Sequence, residues 1–86
     1  MREYLAILEN SKERKFYKIR RSKVDHRRWV IIRLDDELNE CVYVGEFDSL
    51  DEAKRELRKR CKLSYQLDPY RLRILKLTKN REKLIT

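Results

Sequence analysis

Eighty-six residues make room for one domain and not two, because a globule this small already leaves much of its apolar surface wet. A hydrophobic content of 41% supports one modest core, and no run approaches the ~20 apolar residues that a membrane span needs. The formal net charge of +8, from 23 Lys and Arg against 15 Asp and Glu, favours polyanionic partners over acid-rich or lipid-buried roles.

The first predicted element, Tyr4 to Leu8, is apolar and fits a strand or a short helix equally well. Phe16 to Arg21 is rich in β-formers and alternates. Trp29 to Leu34 (Trp-Val-Ile-Ile-Arg-Leu) is the most β-prone stretch of the chain, and Cys41 to Phe47 follows as a third such segment. The polar connectors Ser22–Arg28 and Asp35–Glu40 are short enough for hairpins, so these three strands should form an antiparallel meander. Ser49, with Glu52 three residues on, then reads as a capping box. Leu50, Ala53, Leu57 and Cys61 recur at helical spacing behind it. Asp51 and Glu52 in the first turn and Arg58 to Lys62 in the last suit the helix dipole. Asp68-Pro69 breaks the chain, Tyr70 to Thr78 alternates as another strand, and residues 79–86 read as a frayed tail. The expected fold is α+β: an antiparallel sheet of three to five strands with one helix packed on one face, in the order (β)-β-β-β-α-β, forming a single domain over 1–86.

The charge is segregated. Lys12 to Arg28 holds nine basic and two acidic residues, whereas Asp35 to Glu52 holds eight acidic and no basic ones. Lys54–Lys62 and Arg71–Lys83 each carry six basic residues against one acidic. Blocks of this kind give a fold a positive and a negative side, and a positive side attracts nucleic acid by neutralising phosphates and releasing counterions. The basic run in the helix is already explained by its dipole, so the 12–28 segment carries more of this argument.

Strand alternation predicts two faces for the meander. Tyr17, Ile19, Val30, Ile32, Leu34, Val42 and Val44 would form the core against the helix. Phe16, Lys18, Arg20, Trp29, Ile31, Arg33, Cys41 and Tyr43 would form the opposite face. Aromatic and basic side chains interleaved in this way can hold a phosphate backbone and stack on bases. The expected nucleic-acid-binding residues are Lys18, Arg20, Arg21, Lys23, Arg27, Arg28 and Arg33 on phosphates, with Trp29 and Tyr43 stacking or wedging. The same Trp29, Ile31 and Tyr43 would equally suit a second small core beneath a flanking segment, or a dimer interface.

Enzyme chemistry has little to draw on. Gly45 is the only glycine, so no phosphate-cradling loop exists. His26 is the only histidine and stands in a basic turn, leaving no nucleophile–base pair. Asp35-Asp36-Glu37 reads as a soluble hairpin tip rather than a Mg²⁺ site. Cys41 and Cys61 lack the paired spacing of a zinc ligand set and are expected to be reduced thiols. No cofactor or metal is expected. The amino terminus lacks the layout of a signal peptide, which points to the cytoplasm. Lys/Glu/Arg enrichment with only three Asn and one Gln has the character of a thermophilic archaeal, bacterial or viral protein.

Three strands followed by a helix, with Tyr43-Val44-Gly45-Glu46-Phe47-Asp48-Ser49-Leu50-Asp51-Glu52-Ala53 across the junction, resemble the plant ethylene-response-factor (APETALA-type) DNA-binding domain. They also resemble the related amino-terminal domain of tyrosine integrases. The resemblance implies a sheet placed in the DNA major groove, with Tyr43 matching the third-strand aromatic and Arg33 a strand-two arginine. Cys41 stands where that family often carries a basic residue. In Lys15-Phe16-Tyr17-Lys18-Ile19 and Phe47 to Ala53 the chain is similar to the Trp-Gly-Arg domain of nucleic-acid-dependent enzymes, without the triplet itself. The resulting expectation is a non-enzymatic binder of duplex DNA, or of structured RNA, possible as a homodimer. The alternative is a protein-interaction module, such as a viral inhibitor, an adaptor or a small subunit of a ribonucleoprotein.

Overall fold

A computed structural model describes residues 2–62 and 68–77; the tail expected at 79–86 lies outside them. The elements run β1 (Glu3–Glu9), β2 (Arg14–Arg21), β3 (Trp29–Leu34), β4 (Glu40–Phe47), α1 (Leu50–Lys62) and β5 (Arg71–Leu77). They form one sheet of order β4-β3-β2-β1-β5, in which every neighbouring pair is antiparallel. The α+β class and the β-β-β-β-α-β order follow the pattern, and the segment left open at Tyr4–Leu8 is a strand. Four strands form a meander, after which α1 crosses the sheet and delivers β5 to the far side of β1. Among the described residues, no helix is long and apolar enough to cross a membrane.

The facing of β3 differs from the expectation. Ile19 lies opposite Ile31, and Arg21 opposite Trp29, so Tyr17 and Ile19 share a face with Trp29 and Ile31 rather than with Val30 and Ile32. A one-residue change of register moves every side chain of a strand to the other face. Here hydrophobicity could not choose between registers, because Trp29, Val30, Ile31, Ile32 and Leu34 are all buried. The turn chooses instead. Ser22 N–H donates to the Arg28 carbonyl (2.9 Å) and Arg28 N–H to that of Asp25 (3.0 Å). The Ser22 hydroxyl accepts from the N–H groups of Val24 and Asp25, both at 3.2 Å. These bonds close the loop with Arg21 facing Trp29.

The core therefore lies between α1 and a face built from Tyr4, Ala6, Leu8, Tyr17, Ile19, Trp29, Ile31, Leu72 and Ile74, with Ala53, Leu57 and Cys61 entering from the helix. Each fully buried aliphatic among them stabilises the fold by about 1.5–3 kcal/mol relative to exposure. The helix begins as its sequence predicts. The Ser49 hydroxyl accepts from Glu52 N–H at 3.1 Å, while the Glu52 carboxylate accepts from Asp48 N–H at 3.2 Å, one residue earlier than in the standard capping box. The approach to β5 is fastened to the β1–β2 hairpin. Ser11 donates its N–H (3.0 Å) and its hydroxyl to the Asp68 carboxylate, Asn10 Nδ2 donates to the Asp68 carbonyl (3.2 Å), and the Tyr70 hydroxyl donates to Glu13.

The other face, here called outer, has no element over it among the described residues. It carries Leu5, Ile7, Phe16, Val30, Ile32, Leu34 and Leu75, as the strand pairing dictates. Both cysteines are free thiols, Cys41 exposed on β4 and Cys61 buried on the core side of α1, where burial pushes its thiol pKa up.

Candidate nucleic-acid interface

Lys18 and Arg20 project from β2 onto the outer face, beside Ile32 and Val30 of β3. Their charges are already matched. Arg20 Nε and a terminal nitrogen hold the two Glu40 oxygens at 3.1 and 3.2 Å, and Lys18 Nζ lies 3.5 Å from Glu40 and 3.8 Å from Glu3. Because Glu40 belongs to β4, these bridges pass over β3. That explains how Val30 and Ile32 are buried on a face with no covering element: the aliphatic stems of Lys18 and Arg20 roof them. Hydrogen bonding from Arg20 holds the Glu40 carboxyl below its ordinary pKa.

Trp29 is in the core and 6% exposed, so it cannot stack on a base without leaving its place. Its ring lies 6.1 Å from that of Tyr4 in a tilted pair, with the Arg21 guanidinium 4.6 Å from its centroid and Lys54 5.6 Å from the Tyr4 ring. Ile31, placed on the same face as Trp29 by the sequence reading, is buried with it beneath the helix, not in a second core. Tyr43 is 60% exposed, on the outer face opposite Ile32. Arg33 is exposed on the helix side, so the expected platform of Trp29, Arg33 and Tyr43 is divided between two faces and the core.

Arg28 faces Glu46 and Asp48, its Nε 3.4 and 3.6 Å from their oxygens, although neither contact has hydrogen-bond geometry. The remaining predicted cations converge at the β2–β3 end of the sheet. Arg21 donates to the His26 carbonyl at 2.6 Å. Lys23 is exposed on the loop, and Arg27 has a side chain 90% exposed even while it contacts Asp25 at 3.2 Å. The Arg27 N–H, bonded to Asp25, leads the groups that hold that carboxyl below its ordinary range.

Here Arg2, Glu3, Arg20, Arg21, Ser22, Lys23 and His26 line a cleft of about 270 Å³. Arg20 is already matched by Glu40, but Arg2, Arg21 and Lys23 stand against the single carboxylate of Glu3, so the cleft still presents positive potential to an anion. Sequence reasoning missed Arg2 and set His26 aside as a solvated turn residue. The signal was the pairing of Glu3 with Arg20, which brings the start of β1 alongside the end of β2 and which only the register reveals. Among the described residues, no group of three His, Cys, Asp or Glu side chains converges to hold a metal ion. Comparison with protein-family models, with curated proteins and with solved structures finds no match.

Proposed function

We propose that this chain binds nucleic acid through its phosphates, with duplex DNA the first candidate and structured RNA the second, acting by binding and without catalysis. The observation that carries this reading is the cleft at the β2–β3 end, where Arg2, Arg21, Lys23 and His26 gather with the exposed Arg27 beside them. Phosphate contacts of this kind position a protein on nucleic acid without reading sequence. Trp29 drops out of the contact set, being part of the core. Lys18, Arg20 and Arg28 act as partners of Glu40, Glu46 and Asp48 before they act as phosphate ligands. Arg33 stands four residues along β3 from Trp29, about 13 Å at ~3.3 Å per residue, and Tyr43 faces the other side. Both are therefore secondary contacts in this reading.

The test is a fluorescence-anisotropy titration with a labelled DNA duplex and a matched RNA hairpin over a salt series. Binding should weaken as salt rises, with a log–log slope of about −0.9 per phosphate neutralised. The double variant K23E/R27E alters only exposed loop side chains. It should bind both probes more weakly and flatten the slope by about two contacts. Affinity independent of salt, or unchanged in K23E/R27E, would refute the proposal.

A further inference from the structure

Of the four large hydrophobic residues that stand exposed among the described residues, three lie together on the β3–β4 hairpin and edge strand: Leu38 (46%), Val42 (52%) and Tyr43 (60%). Leu38 also holds a φ of 66°, a left-handed conformation that costs an ordinary side chain roughly 1–2 kcal/mol and that glycine or asparagine would adopt more easily. An exposed leucine retained at a strained tip is a poor choice for stability and a good one for contact. Around it, Asp35, Asp36 and Glu37 are exposed, and none is ion-paired to a described residue.

The opposite edge of the sheet has the complementary character. β5 presents Arg71 and Arg73 on the outer face with Leu75, and Leu72 and Ile74 on the helix face with Lys76, and it contains no acid. β4 presents Glu40, Tyr43 and Glu46 on the outer face and Val42 on the helix face. Both edges run in the same direction, since β4 and β5 are separated by an even number of reversals through β3, β2 and β1.

We propose that the β3–β4 hairpin and β4 edge dock the β5 edge of a second copy of this chain, head to tail. A two-fold dimer through either edge would set like charge against like charge, β4 with its acids and no cation against itself, or β5 with three cations and no acid against itself. Only the translated arrangement brings Asp35, Asp36, Glu37 and Glu40 toward Arg71 and Arg73, and Val42 toward Leu72 and Ile74. The pairing is parallel and leaves one edge of each kind free, so it extends into open chains rather than closing. The register irregularities of β4 shorten its regular stretch, as proteins do to keep edges from joining indiscriminately. The contact is accordingly weak and sensitive to salt.

Sedimentation velocity of the full chain, over about a hundredfold range of concentration at low and at high salt, tests this. The sedimentation coefficient should rise with concentration at low salt and stop rising at high salt. R71E/R73E makes both edges acidic, and D36K/E37K reverses the sign of the hairpin tip while leaving Asp35 to accept from the Glu37 and Asn39 N–H groups that close it. Each variant alone should stay monomeric with a wild-type circular dichroism spectrum, and mixing the two should restore association. A wild-type chain that remains monomeric at low salt, variants that still associate singly, a stable dimer with no larger species, or a mixture that fails to associate would each overturn the proposal.

Discussion

The Trp29 indole is held from several sides: by Tyr4, by Arg21 over its face, and by the aliphatic core beneath α1. Truncating it removes a large buried side chain from a site that cannot collapse fully, because strand neighbours fix its walls. Trp29→Ala should cost about 3–5 kcal/mol in urea denaturation, and Arg21→Ala no more than about 1 kcal/mol, as fits an exposed cation–π contact. Since Trp29 is the only tryptophan, its fluorescence reports directly. Emission in the native state should be blue-shifted and resist iodide quenching, then move to the red on unfolding. A red-shifted, readily quenched native emission would return Trp29 to the surface. At this scale the sequence showed that Trp29 matters but not in which role. An aromatic beside arginines suits a stacking platform and a cation-capped core equally well, and only its facing separates the two.

Elements were more legible than facings. Each strand and the helix fall within a residue or two of where alternation, β-branching and the capping residues put them. What could not be read was the register between β2 and β3. β3 is apolar on both sides, so the pattern that ordinarily selects a register is silent there. The decision passed to Ser22, Asp25 and Arg28 in the loop, whose hydrogen bonds have no periodic signature. The candidate site inherited this: its loop cations were visible in the sequence, while the Glu40 bridges that neutralise Lys18 and Arg20 depend on strand order. The helix start is the opposite case, written wholly in local residues. Ser49→Ala deletes the acceptor for Glu52 N–H and should lower stability by about 1 kcal/mol, with Ser49→Asp restoring most of it. Equal thermal midpoints for wild type and Ser49→Ala would show that the cap contributes nothing at this position.

Across the whole molecule, carboxylates hold together segments that are far apart in sequence, and acid should undo them together. Glu40 ties β4 to β2 across β3, Asp68 ties the approach to β5 to the β1–β2 hairpin, and Glu13 accepts from Tyr70. All three are held below their ordinary pKa values, led by hydrogen bonds from Arg20, Ser11 and Tyr70 respectively. A carboxyl whose folded pKa is depressed binds its proton more readily when unfolded. Its stabilisation is therefore complete above the unfolded value, roughly 4.3 for Glu and 3.9 for Asp, and is lost as pH falls through the folded value. The thermal midpoint should be flat from neutrality to about pH 5 and then fall steeply. Protonation also raises the net charge above its present +8, and self-repulsion steepens the fall. Glu40→Gln isolates one contributor, because it keeps the shape and discards the charge that Arg20 and Lys18 share. The variant should melt below wild type at neutral pH, and the gap should narrow as pH falls through the depressed folded value of Glu40, where the wild-type carboxylate takes up its proton. A gap that persists undiminished in acid would mean that the charge shared with Arg20 and Lys18 is not what Glu40 contributes.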